Sequence, residues 1–408
     1  MEEQKQNENI PQKNKKHHFL KGALFGALIA LLIVFGARKI MYITDSGSVV
    51  DRKTEQKLQL IEGLINDKYF DGDEIDQKEV KESLIKGYVN GLGDPYSVYF
   101  DEEETKELAE STSGEFSGIG VAMQQDMETG AITFVNVYDD SPAAEAGFKN
   151  GDILYKVEEE DVTSMTLNEI VAKVRGKEGT KVTLTVFRGE DGKEYEATAT
   201  RRKIESQTIE YEMKEDQIGY IRITEFDQVT YEQFKAALED LQSRGIKGLV
   251  MDVRGNPGGN LGTVCDILDL ILPKGLIVYT EDKDGKREEY SSDAEHSLEL
   301  PMTVLVDGRS ASASEIFAGA IQDYNLGKLV GTTTYGKGVV QQIFPLTDGT
   351  SVKLTIAEYF TPNGRNIHGK GIEPDVEVEY EYDEQNPDND NQLKKAVEIL
   401  KQEIGKVK

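Results

Sequence analysis

The chain of 408 residues contains a single cysteine, Cys265. No disulfide within the chain and no cysteine-based zinc cluster can form. Cys265 lies in the apolar, helix-like run Val264-Cys265-Asp266-Ile267-Leu268, so it reads as a small buried hydrophobe rather than a reactive thiol. Histidine is scarce too, and neither His296 nor His368 lies in a motif that fits a Ser–His–Asp scheme. Positive charge is in deficit: 47 Lys and Arg against 75 Asp and Glu leave a net charge of −28. Such a surface repels phosphate backbones, which argues against nucleic acid as a partner and otherwise serves solubility. With 38% hydrophobic and 30% charged residues, the bulk is that of a soluble globular protein, and its length predicts two or three folded units.

Long hydrophobic runs are missing with one exception. Gly22 to Ala37 (GALFGALIALLIVFGA) is uncharged and apolar. As a helix it spans about 24 Å, slightly less than a bilayer core, and Lys21, Arg38 and Lys39 can snorkel outward to make up the difference. Lys13, Lys15, Lys16 and Lys21 precede the run, so the positive-inside rule keeps residues 1–21 cytoplasmic and exports the remainder of the chain. The expectation is a single-pass anchor over 22–43 in the cytoplasmic membrane, with a cleaved signal peptide as the alternative.

Residues 44–110 read as a helical N-terminal region, with helical spacing over Glu55–Ile65 and a second helix from Lys78 to Leu92 that stops at Gly91-Leu92-Gly93-Asp94-Pro95. From 111 to 198 the pattern is one of short strands and turns. Gly120–Met123, Ile132–Val137 and Lys181–Phe187 are strand-like, Gly151 opens another strand, and short helices are expected at Ser141–Gly147 and Leu167–Val174. From 199 to 385 strands alternate with helices: Ile218–Ile223, helix Tyr231–Arg244, Gly248–Val253, a helix through Leu272, Thr303–Val306 and helix Ala313–Tyr324. That alternation predicts an α/β domain. Residues 386–408 close with a helix over Leu393–Ile404, and the terminal helices suggest the arms of a homodimer.

Chemistry is suggested at three places in the α/β region. Asp307-Gly-Arg-Ser310-Ala-Ser312-Ala-Ser314-Glu315 joins a strand to a helix, where spare amide donors and the helix dipole favour an oxyanion. Three serines compete there, local chemistry does not choose between them, and taken alone the cluster reads as an ordinary N-cap. Gly331-Thr-Thr-Thr-Tyr-Gly-Lys337-Gly338-Val-Val-Gln341 sets a lysine between glycines, where burial can lower its proton affinity into the range of a general base. An amide such as Gln341 can hold a neutral amine without adding charge. The spacing also approaches a phosphate-binding P-loop, but position 338 is Gly where Ser or Thr should hold magnesium, and a strand-like run follows where a helix should open. Asp252-Val-Arg-Gly-Asn-Pro-Gly258-Gly259-Asn260 is a Gly-rich turn after a buried strand, able to aim backbone N–H groups at an oxyanion.

Taken together these segments resemble the carboxy-terminal processing, or tail-specific, proteases: D-x-R-x-N-P-G-G at 252–259, S-A-S-A-S-E at 310–315, G-x-T-T-Y-G-K-G-V-V-Q at 331–341, Y-F-T-P-N-G-R at 359–365 and G-I-E-P-D at 371–375, with G-D-P-Y-S-V-Y-F at 93–100. The resemblance implies a ClpP/crotonase-like α/β protease core interrupted by a PDZ-like, β-rich domain, with helical N- and C-terminal arms. It implies Ser312 as nucleophile, Lys337 as base and Gln341 as the amide that orients it, with the backbone N–H groups of Gly258 and Ala313 as oxyanion donors and no metal or cofactor. Ser117-Gly118-Ile119-Gly120-Val121 resembles a PDZ carboxylate loop, whose N–H groups would receive the C-terminal tail of a polypeptide substrate. Arg175 offers a link between this module and the protease, or a solvated turn charge. The implied function is a membrane-anchored serine endopeptidase acting on exported proteins. A membrane-tethered PDZ scaffold with a silent protease fold is the alternative.

Overall fold

The computed structural model describes residues 48–406 except 128, 190, 191, 294, 384, 387 and 388. The expected anchor over 22–43 lies outside the described residues. Among those described, no helix is long and apolar enough to cross a membrane.

The chain divides into two compact units, up to Lys81 and from Glu82 onward. In the first, Asp51 caps the helix Arg52–Lys68 by accepting from the Thr54 N–H at 2.8 Å. No residue of this helix is buried, and Leu60, Ile61 and Leu64 are 65%, 45% and 54% exposed. The next helix, Gln77–Asn90, leads into the second unit.

The centre of the second unit is a six-stranded sheet in the order Ile209–Lys214, Ile218–Ile223, Gly248–Asp252, Met302–Val306, Gly327–Gly331 and Val376–Glu377. Every pairing is parallel except the first. A parallel sheet must be covered on both faces, and the strands alternate accordingly. Leu249, Met251, Val304 and Val306 point into a core built with the helices Thr230–Ser243, Leu261–Asp269 and Ala313–Asp323. Val250 and Leu305 point to the other face, against Ala396 and Leu400 of the helix Asn391–Lys406. The C-terminal segment is therefore helical as expected but is not a free arm, because its apolar side is used on the sheet. Arg254 reinforces the join, reaching Asp252 at 2.6 Å, Asp390 at 2.7 Å and Gln392 at 2.8 Å. Cys265 is buried in the core, which pushes its thiol up to about 12.

Beside this sheet lies an antiparallel one: Val98–Phe100, Ser351–Phe360, Gly275–Asp282 and Arg287–Ser292, with Val339–Pro345 also paired to Ser351–Phe360. The strand Val98–Phe100 falls within the stretch expected to be helical, and its conformation comes from pairing with Ser351–Lys353. A strand, Val339–Pro345, begins two residues after Lys337 where a helix should open, which disposes of the P-loop reading.

The PDZ-like module has its own sheet, ordered Val121–Gln125, Ile132–Val137, Ile153–Val157, Lys181–Arg188 and Lys193–Thr200, over a separate core that includes Phe134, Ile170 and Leu184. The strands Glu115–Gly118 and Arg202–Glu205, which enter and leave the module, pair antiparallel with each other.

Candidate active site

Ser312 starts the helix Ala313–Asp323 with φ 56° and ψ −114°. Positive φ is costly for a residue with a Cβ and is retained where surroundings enforce it, commonly at reacting groups. The neighbouring serines supply part of that enforcement. Ser310 Oγ donates to the Val253 carbonyl at 2.8 Å and Ser314 Oγ to the Asn256 carbonyl at 2.9 Å, both fully buried. They lace the serine turn to the Gly-rich turn. Ser312 is half-buried; its oxygen faces the Glu315 N–H in a capping box, but its hydroxyl proton is donated to no group among the described residues. Three serines that local chemistry could not separate are thus separated by position: two are structural pegs, and one opens onto a cleft of about 770 Å³.

Lys337, Gln341, Gly258 and Ala313 line the same cleft. Gly258 has φ 108°, and a Cβ there would lie 2.8 Å from Ser312 Cβ, so only glycine fits against the serine turn. Its N–H donates to Asn256 Oδ1 at 2.8 Å, so in this arrangement it is not free for an oxyanion. The Ala313 N–H, first in its helix, makes no hydrogen bond among the described residues.

Lys337 is half-buried and pairs with no carboxylate among the described residues; its ammonium lies 5.0 Å from the centre of the Tyr96 ring. Burial lowers its pKa below the ordinary lysine value, the Lys353 charge lowers it further, and Asp94 and Glu315 act in the opposite sense. Tyr96 belongs to the 93–100 block, which gives that block a place beside the lysine. Gln341 sits at a bulge in the pairing of Val339–Pro345 with Ser351–Phe360, and such irregularities re-aim side chains. Its amide donates to the Val339 carbonyl and Thr355 Oγ1, each at 3.4 Å. Among the described residues no hydrogen bond joins Ser312, Lys337 and Gln341 through their side chains.

The serine and lysine segments are nonetheless held together by two further side chains. Glu315 is fully buried. Its Oε2 accepts from the Ser312 N–H at 2.9 Å and the Lys337 N–H at 2.8 Å; Oε1 accepts from the Gly336 N–H at 2.7 Å and Thr334 Oγ1 at 2.6 Å. The Tyr359 hydroxyl donates to the carbonyls of Ser312, at 3.0 Å, and Lys337, at 2.7 Å. One acceptor thus gathers both amides and one donor gathers both carbonyls. A signal for Glu315 was present, since Ser-x-x-Glu is a capping box, but that pattern points only to a helix start.

In the PDZ-like module the carbonyls of Ile119 and Gly120 are taken by the N–H groups of Ala143 and Tyr138, at 2.9 and 3.0 Å. The Ile119 and Gly120 N–H groups make no hydrogen bond among the described residues. Val121–Gln125 is an edge strand beside the helix Leu167–Val174, and Gln125 ties the two by bonding Met165 and Leu167, each at 3.2 Å. Arg175 is not simply solvated: it lies 3.4 Å from Glu110 and 4.6 Å over the Phe116 ring. Glu110 belongs to the helix Glu102–Ser113, whose Leu108, Ser111 and Thr112 reach the cleft. His296 and His368 are exposed and line no part of it. Among the described residues no group of His, Cys, Asp and Glu is arranged to hold a metal.

Comparison with known proteins agrees with this architecture. The model for peptidase family S41 matches residues 217–378, a PDZ domain model matches 133–188, and one for the N-terminal domain of the activating protease CtpB matches 38–105. The PDZ match begins after the Gly118–Val121 loop. The carboxy-terminal processing protease CtpB of Bacillus subtilis is 37% identical over 330 residues, which cover 80% of this chain and 68% of that protein. CtpA of the same organism is 35% identical over 360 residues, covering 86% and 76%. A solved S41-type structure from Bacteroides fragilis, 17% identical, superposes with a TM-score of 0.52 over 78% of this chain and 90% of that one, a likeness of fold alone. The chain belongs to the carboxy-terminal processing proteases of peptidase family S41, serine-type peptidases with a PDZ domain.

Proposed function

We propose that the chain is a membrane-anchored endopeptidase that cleaves exported proteins with a Ser312–Lys337 dyad, on substrates whose C-terminal tails the PDZ domain receives. The observation that carries this reading is the separation of the three serines. Of the three, only Ser312 donates its hydroxyl proton to no carbonyl among the described residues, and it opens onto the cleft that also holds a half-buried lysine of lowered proton affinity. Neutral Lys337 takes the Ser312 proton as the hydroxyl attacks the peptide carbonyl. The resulting lysinium protonates the leaving amine, and the lysine then activates water against the acyl-enzyme. Gln341 holds the amine, and the Ala313 N–H, joined by Gly258 once Asn256 releases it, receives the oxyanion. In the conformation described the dyad is not yet bonded, so tail binding both delivers substrate and draws Lys337 and Gln341 together. The free N–H groups at Ile119 and Gly120, with the edge strand from Val121, suit a terminal carboxylate and an extended tail. Glu110 and Arg175 offer the contact through which the domain acts on the cleft.

Residues 22–43 anchor the chain, with the catalytic part outside the cytoplasmic membrane; protease accessibility of intact and opened cells tests this orientation. The uncovered face at Leu60, Ile61 and Leu64 supports a homodimer through the N-terminal helix. Cleavage of an unstructured peptide by the chain is expected to fall to background in both Ser312→Ala and Lys337→Ala. If both variants cleave at the unmodified rate, the dyad is refuted; if the unmodified chain itself does not cleave, the scaffold reading stands.

A further inference from the structure

Four acidic residues are buried among the described residues: Asp152, Asp227, Asp252 and Glu315. Removing a carboxylate from water costs several kcal/mol unless partners replace the hydration, so each should be accounted for. Asp152 pairs with Arg188 at 2.6 Å, Asp252 pairs with Arg254 at 2.6 Å, and Glu315 accepts four hydrogen bonds. Asp227 is 7% exposed; its carboxylate oxygens keep contact with solvent at the cleft and have no hydrogen bond and no ion pair among the described residues. Burial, then the charge of Glu225, pushes its pKa up to about 7. Among the described residues no cation acts on it, although Lys337 and Lys353 line the same cleft.

Its location is as informative as its isolation. Asp227 and Glu225 both line the cleft that holds Ser312. The residue between them, Phe226, donates its N–H to the Gly258 carbonyl at 2.9 Å and accepts from the Asn260 N–H at 2.6 Å. Gly258 in turn lies against Ser312. The unpaired carboxylate is therefore fastened, through one residue, to the turn that borders the reacting hydroxyl. A metal would need more ligands than this one buried carboxylate and the exposed Glu225 provide. A single cationic side chain matches the site in charge and in number of groups.

We propose that Asp227, backed by Glu225, is a specificity residue that receives the side chain of a substrate lysine or arginine close to the scissile bond. This rests on the protease reading and adds to it a class of substrate residue. A buried acid that is unpaired in the empty cleft selects for a ligand that completes the pair, and against one that leaves it buried and alone.

The test uses the full chain carrying Ser312→Ala and two series of unstructured peptides. The series share one C-terminal tail and differ at a single interior position, lysine in one and norleucine in the other, walked through the sequence. The common tail equalises binding at the PDZ domain. At one position the lysine peptide is expected to bind about tenfold more tightly than its norleucine counterpart. Asp227→Asn on the same background removes that difference, and Glu225→Gln reduces it. Equal binding of the two series at every position overturns the proposal, as does a lysine preference that survives Asp227→Asn. Failure of the protease reading shows separately, as absence of cleavage by the chain with Ser312 intact.

Discussion

Two buried carboxylates flank the reactive turns and are treated in opposite ways. Glu315 follows Ser312 by three residues and is surrounded by donors: two backbone amides from the lysine segment, one from the serine and a threonine hydroxyl. Asp227 is fastened to the Gly-rich turn through Phe226 and has no donor among the described residues. A carboxylate supplied with four hydrogen bonds is a fixed part of the scaffold, since any movement of either segment breaks charge-assisted bonds. A carboxylate supplied with none stays responsive to protons and to ligands. The same functional group thus serves rigidity on one side of the serine and recognition on the other.

The comparison breaks most visibly at Glu315. In Glu315→Gln one acceptor oxygen becomes an NH2 group facing N–H donors, at a fully buried position. The expected loss is about 3 kcal/mol in stability, read by denaturant unfolding, and about 100-fold or more in kcat/KM. Unchanged kinetics would show that the clamp on Ser312 and Lys337 is not what holds the site. Asp227→Asn should act in the other direction on stability. The native pKa of Asp227, about 7, lies above its unfolded value of about 3.9, so the protonated form favours the fold. That contribution is complete below the unfolded value and is lost as pH rises through 7. The amide never ionises, so the variant should be more stable than the original at pH 8, by about 2–4 kcal/mol at most, and equal to it near pH 4. A stability difference independent of pH would mean that Asp227 has a partner after all. Tyr359→Phe removes the donor to the two carbonyls while keeping the ring, and should cost about 1–2 kcal/mol of stability with a smaller kinetic loss than Glu315→Gln.

Asp227 and Glu315 also mark where a sequence stops being legible. Segments with strong periodicity were readable to within a residue or two: Ile218–Ile223, Leu167–Val174 and the helix that begins at Ala313. Val98–Phe100 was not, because three residues inside a helical stretch take their conformation from a strand some 250 residues away. The ordered motifs pointed to Ser312 and Lys337, but nothing local distinguished Ser312 from Ser310 and Ser314. Their difference lies in which hydroxyls meet the carbonyls of Val253 and Asn256, a property of the packed turns. Glu315 carried a helix-start pattern while its partners at Gly336 and Lys337 are tertiary. Asp227 carried no pattern, since being buried without a partner is a statement about everything around it.

The smallest effect expected is also the most directional, and it concerns how the surroundings set the lysine. Lys353 lines the cleft with Lys337, is half-buried, has its ammonium 5.3 Å from the centre of the Phe100 ring, and pairs with no carboxylate among the described residues. Its charge depresses the proton affinity of Lys337, whereas the charge of Glu315 supports it. A general base works in its neutral form, so kcat/KM should rise with pH along a limb set by Lys337, at a pH below that of an ordinary lysine. Lys353→Met keeps length and apolar bulk but removes the opposing charge, so Lys337 holds its proton to higher pH and the limb moves up. Whatever activity Glu315→Gln retains should show the limb moved down, because there a favourable neighbour is lost. Opposite displacements in the two variants, read from kcat/KM profiles on one peptide, would establish that Lys337 is the titrating base. Displacement in the same direction, or none in either, would assign the limb to another group.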